Sequence, residues 1–145
     1  MKETHVTMGD SAAFLRERGI KPSYTRRRIL ECIANCASHP TVEMIFQELH
    51  DELPTLSKTT VYNVLKLFEE HDIVQSVVMD DQGIRYEFNT EFHGHMKCIK
   101  CKQVFDIDLD VKVLESKEHE ILTTKVVLTG ICFDCRFTNN KSKTN

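Results

Sequence analysis

At 145 residues the chain has room for one ordinary domain or two small ones, and 41% hydrophobic with 28% charged residues suits a globular protein. A formal net charge of -3 excludes broad electrostatic attraction to nucleic acid, so any DNA contact needs a local basic patch. Met1 to Asp10 is polar, and apolar runs such as Ile73–Val74 and Val126–Leu128 are far too short to span a membrane. The expectation is a cytoplasmic chain with no membrane partner, whose six cysteines stay reduced.

The first elements read as helices. Ala12–Arg18 forms a short helix closed by Gly19. Thr25 caps a second helix, with Ile29, Leu30, Ile33 and Ala34 on one face. After Pro40, Thr41 caps a third helix whose apolar side is Met44, Ile45, Phe46 and Leu49. After Pro54, Ser57 caps a fourth that runs to about His71. Its buried stripe is Val61, Val64, Leu65 and Phe68, which leaves Lys58, Thr59, Tyr62, Asn63 and Lys66 facing outwards or sideways.

Strands Ile73–Met79 and Ile84–Phe88, turned at Asp80–Gly83, follow the helices and complete a winged helix-turn-helix. The character changes near Asn89. Met96–Cys98 and Val104–Ile107 read as strands around a Cys-X-X-Cys turn, Val111–Glu120 as a helix, and Thr123–Ile131 as a β-branched strand; Thr138–Asn145 is a polar tail. The fold class is α+β: a winged-helix domain over residues 1–90 and a small α/β domain over 91–145.

Cys98-Ile-Lys-Cys101 and Cys132-Phe-Asp-Cys135 repeat one spacing, each after a strand. Two such turns supply the four thiolates of a tetrahedral structural zinc site, and a domain this small has little core to stabilise it otherwise. A dithiol redox pair would need only one Cys-X-X-Cys. Cys32 and Cys36, one helical turn apart beside Ile29 and Ile33, read as buried structural thiols.

His93-Gly-His95 places two imidazoles on one side of an extended stretch, as two ligands of one ion require. His39, Glu87 and Asp106 are further candidate ligands at element ends, but spacing alone does not join the five. Mixed imidazole and carboxylate ligands suit iron(II), manganese or zinc. Local positive charge at helix starts comes from Lys21, Arg26, Arg27, Arg28 and Lys58, with Thr60, Tyr62 and Asn63 on the outer face of the fourth helix as candidate DNA contacts.

The combination resembles the ferric uptake regulator superfamily over nearly the whole chain. The carrying residues are His39-Pro40-Thr41, Ser57 to Leu65, Arg85-Tyr86-Glu87-Phe88, His93-Gly94-His95 with Cys98 and Cys101, and Gly130-Ile131-Cys132 with Cys135. The resemblance implies a homodimer on a double-stranded DNA operator, with the second domain serving dimerisation. It also implies a regulatory Fe2+ or Mn2+ on His39, Glu87, His93, His95 and Asp106, beside the structural Zn2+. Asp106 and Asn63 resemble the peroxide-sensing (PerR) branch, in which His39 and His93 are the positions oxidised by peroxide at bound iron. Glu87 resembles the iron-sensing branch instead. Phe92, Gly94 and Thr124 stand where other members carry extra ligands, so no second regulatory site is expected.

An enzyme reading finds no phosphate loop, nucleophile elbow or His-Glu-X-X-His helix, and no small organic substrate is expected. A zinc-ribbon interaction module accounts for the four cysteines but not for the amphipathic helices and hairpin before them.

Overall fold

In the computed structural model, residues 8–36, 39–88, 92–109 and 116–138 are described. The chain divides into two compact units, Met1–Thr90 and Glu91–Asn145.

The N-terminal unit is a winged helix-turn-helix: α1 Met8–Glu17, α2 Tyr24–Ala34, α3 Val42–Leu49, α4 Lys58–Glu70, then hairpin strands β1 Val74–Asp80 and β2 Gly83–Phe88. Local chemistry sets the ends of these helices. Thr41 Oγ1 accepts from the Met44 N–H and Ser57 Oγ from the Thr60 N–H, so both expected caps hold. α2 differs: Ser23, not Thr25, is its cap, accepting from the Arg26 N–H while the Ser23 carbonyl accepts from Arg27. The earlier hydroxyl wins because Tyr24 and Thr25 then join the helix.

Two helices stop by the same device. α1 ends on Gly19 at φ +75, with the Ile20 N–H on Leu15 O; α4 ends on Asp72 at φ +55, with the Ile73 N–H on Phe68 O. In each case the two residues bridged are buried, as this left-handed termination favours. Ile73 is therefore the end of a helix cap, and β1 starts one residue later than its β-branched side chain suggests.

One core joins Leu15, Ile29, Leu30, Ile33, Ile45, Leu49, Val61, Leu65, Phe68 and Ile73. The expected stripe of α4 is buried in full, whereas Met44 of α3 is exposed and Phe46 only half-buried. Glu31 is buried in this unit with partners: Ser11 Oγ donates to Oε1 (2.7 Å) and Arg28 Nη1 to Oε2 (2.7 Å). Arg28 also forks onto Glu52, and the Tyr24 hydroxyl donates to the same carboxylate.

The C-terminal unit holds strands β3 Gly94–Cys98, β4 Val104–Ile107 and β5 Val127–Gly130 and helix α5 Phe133–Thr138. The sheet order is β4-β3-β5, with β3 antiparallel to β4 and parallel to β5. Of the expected helix Val111–Glu120, residues 111–115 lie outside the described residues, and 116–120 form bends in which Ser116 Oγ accepts from the His119 N–H. The expected strand Thr123–Ile131 shortens to β5, because β3 begins only at Gly94 and offers earlier residues no partner. Where a plain turn was expected, Cys132 instead opens α5.

Candidate metal centres and DNA-facing surface

The four cysteines come together. Cys98 ends β3 beside a turn in which the Lys102 N–H bonds Cys98 O, with Lys102 at φ +64, and the Cys98 N–H bonds Gln103 O. The Ile99 N–H on Gly130 O ties this turn to the end of β5, where Cys132 and Cys135 lie one helical turn apart. All four sulfurs lie within 4.8 Å of one another, and Cys101 Sγ is 3.8 Å from Cys132 Sγ. Two thiolates about 2.3 Å from one tetrahedral zinc are about 3.8 Å apart, whereas a disulfide needs about 2.0 Å. The donor set therefore fits zinc and not a bridge.

The electrostatics agree. The Cys132 N–H donates to Cys98 Sγ and, helped by the N–H groups of Cys101 and Lys100, pulls that thiol down to about 6 against its burial. Cys135 is pushed up to about 12, chiefly by its contact with the Cys132 sulfur and then by burial. Crowding of the sulfurs raises Cys101 as well as Cys135, an opposition that a bound cation such as Zn2+ would relieve.

The second ligand chemistry occurs once in each unit. In the N-terminal unit, His39-Pro40-Thr41 runs along β2: Thr41 bridges Arg85, and the Tyr86 N–H bonds Pro40 O. His39 takes φ +51, a conformation a non-glycine residue seldom adopts, and Arg85 Nη1 holds its carbonyl oxygen at 3.2 Å. This brings His39 Nε2 to 3.2 Å from Glu87 Oε2. In the C-terminal unit, His95 sits directly across the strand pair from Asp106. His93 Nε2 and His95 Nε2 approach the same Asp106 oxygen, at 3.3 and 3.6 Å, with their rings 4.6 Å apart. Gly94 between them is buried, and a Cβ there would run into the Leu109 side chain. Donors about 2.1 Å from a shared ion lie roughly 3.0–3.4 Å apart; His39–Glu87 and His93–Asp106 fall within that spacing, and His95–Asp106 lies just beyond it. Imidazole and carboxylate together suit Fe2+ or Mn2+.

Two residues beside the candidate ligands were not assigned from the sequence. Arg85 is buried with its guanidinium on His39 O, Asp80 and Gln82. Gln75 faces Glu87 across the hairpin and donates to it. Arg85 stood inside a motif but gave no hint of its target; Gln75 gave no signal, because its partner depends on the hairpin register.

The candidate DNA contacts separate by exposure and pairing. Tyr62 is 48% exposed on α4, and Asn63, Thr60 and Lys21 are exposed as well. Lys58 is exposed but ion-paired to Glu43. Arg26 is half-buried and donates to Lys21 O. Arg27 bonds Ser11 Oγ, and Arg28 is neutralised by Glu31 and Glu52, so these two basic groups brace the helices. Cys32 is half-buried against the core, which pushes its thiol up to about 11, and Cys36 is half-buried just past α2; neither is fully enclosed as expected.

Known proteins match this arrangement. The model of the "Ferric uptake regulator family" matches residues 17–131. The peroxide-responsive repressor PerR of Staphylococcus epidermidis is 30% identical over 138 residues, 90% of this chain and 91% of that one. Among solved structures, the ferric uptake regulator of Francisella tularensis with iron superposes with TM-score 0.67 at 27% identity, covering 81% of this chain and 96% of that one. PerR from Streptococcus pyogenes gives TM-score 0.51 at 27% identity, over 88% of this chain and 92% of that one. No helix among the described residues is long and apolar enough to cross a membrane. The chain belongs to the ferric uptake regulator family of metal-responsive transcriptional regulators, and it is not an enzyme.

Proposed function

We propose that the chain is a peroxide-responsive repressor that binds operator DNA in the cytoplasm as a homodimer when its regulatory metal is bound. The observation that carries this reading is the pairing of histidine with carboxylate in each unit: His39 with Glu87, and His93 and His95 with Asp106. In this reading the two groups close on one ion, so occupancy fixes the winged-helix unit, residues 1–90, relative to the dimerisation unit, residues 91–145. A ligand set divided between units couples metal binding to DNA binding without touching DNA.

Iron, when bound, supplies the reduction of hydrogen peroxide at this site. His39 and His93 are the residues that would take up oxygen on their imidazole rings, which would weaken their hold on metal and release the constraint on the winged helices. The aspartate at position 106 and the PerR relative support peroxide sensing. Glu87 and the iron-containing Francisella structure favour a second reading, iron sensing by the same ligands.

DNA contact falls to the exposed face of α4, with Tyr62 and Asn63 reading the groove and Thr60, Lys58, Arg26 and Lys21 on the backbone. The dimer supplies the second half-site. It also covers apolar side chains that the C-terminal unit leaves exposed, among them Val127, Leu128 and Ile131.

A gel-shift titration with Mn(II) tests the regulator. Operator affinity rises with metal in the unsubstituted protein. Tyr62→Ala weakens it by about tenfold, in line with a lost contact of 1–3 kcal/mol, and keeps zinc and dimer. Affinity indifferent to metal, or to Tyr62→Ala, counts against the reading. Mass spectrometry after anaerobic Fe(II) loading and modest peroxide separates the two sensors. Added oxygen at His39 or His93 supports peroxide sensing; clean peptides with retained DNA binding mean iron sensing.

A further inference from the structure

We propose that Gln75 is a positioning residue that restricts Glu87 to one donor oxygen and so sets the coordination number of the regulatory ion. The inference rests on the reading that Glu87 ligates that ion. Gln75 stands directly opposite Glu87 in the β1–β2 register, and its Nε2 donates to Glu87 Oε1 at 2.5 Å. The other oxygen, Oε2, is the one that faces His39 Nε2 at 3.2 Å. An ionised carboxylate only accepts, so the amide must present its N–H to it.

Glu87 is buried, and turning Oε1 toward the ion would strain this hydrogen bond where little water can replace it. The direct cross-strand pairing holds the two side chains on one face of the hairpin, with Oε1 turned to the amide and Oε2 to the histidine. Contacts of this kind orient a ligand and typically change metal affinity about 10–100-fold when removed. With both carboxylates single-oxygen donors, three imidazoles and two carboxylates supply five donor atoms. Release of Glu87 Oε1 would add a sixth.

The test uses the full, zinc-loaded chain titrated with Co(II), whose visible d–d absorption weakens as coordination number rises. Gln75→Leu keeps most of the volume and removes the donor; Gln75→Val also removes the donor, with a smaller side chain well suited to a strand, and answers if the first variant fails to fold. The expected result is a weaker d–d band per bound Co(II) and a Mn(II) affinity reduced about tenfold. Zinc content and the thermal midpoint of the protein without regulatory metal stay unchanged. An unchanged or stronger band overturns the proposal. A different failure marks the underlying reading: no second Co(II) site in the unsubstituted protein, or a band and Co(II) affinity unchanged by Glu87→Ala, would remove Glu87 as a ligand and this inference with it.

Discussion

Among the described residues, the N-terminal unit gathers fifteen buried hydrophobic side chains in one cluster, whereas the buried hydrophobics of the C-terminal unit are Val104 and the thiols Cys98 and Cys132. The larger cluster can hold a winged helix by apolar burial at roughly 1.5–3 kcal/mol per large side chain. The described residues of the smaller unit form no comparable cluster, and β5 exposes Val127 and Leu128. The contrast teaches that the same chain uses two stabilising forces, and that zinc stands where a core would otherwise be needed.

The sharpest way to break this contrast is to remove the zinc. Chelation, or Cys98→Ser, is expected to unfold the C-terminal unit, because structural zinc contributes on the order of 10 kcal/mol. The N-terminal unit keeps its helices. Amide hydrogen exchange checks this: protection lost in β3 to β5 and retained in α2 and α4 supports the contrast, and uniform loss refutes it. The converse substitution is Phe68→Ala, in the fully buried middle of the first core. It is expected to destabilise the N-terminal unit by about 3–5 kcal/mol in urea unfolding while zinc stoichiometry holds. Loss of zinc in that variant would show that the units do not fold as separate bodies.

The smallest effect lies at the surface of the N-terminal unit. Arg28 first, and then the Tyr24 hydroxyl, hold the Glu52 carboxyl down to about 2. A carboxylate depressed below its unfolded value of about 4.3 stabilises above that pH, and the contribution fades as pH falls through the folded value. The difference in urea midpoint between the unsubstituted protein and Glu52→Gln should therefore be full near neutrality and shrink between about pH 4 and pH 2. A difference independent of pH would mean the pair acts through packing rather than charge. Solvent screening keeps this contribution small beside that of the core.

How much of this was legible beforehand follows from the range of each interaction. Ser57 and Thr41 cap their helices through contacts three residues away, and Val61, Val64, Leu65 and Phe68 form a stripe by helical period, so both were readable. The cysteine pairs were readable because zinc demands four donors and their spacing repeats. The choice of Ser23 over Thr25, and the opening of a helix at Cys132, turned on competition between neighbouring local options.

The carboxylate and imidazole groups needed tertiary structure. Nothing local says that Pro40 and Thr41 run along β2, yet that pairing delivers His39 to Glu87. Gln75 is the clearest case. Uninterrupted pairing outward from Asp80 and Gly83 would set it opposite Phe88, but the irregularity between Ser76 and Val78 slides it onto Glu87. One extra residue in a strand changes every partner beyond it. The sequence by itself determined the four-cysteine set, the buried stripe of α4 and the caps of α3 and α4. The tertiary structure decided which oxygen of Glu87 is held and by what, because strand register is a long-range choice that no short pattern encodes.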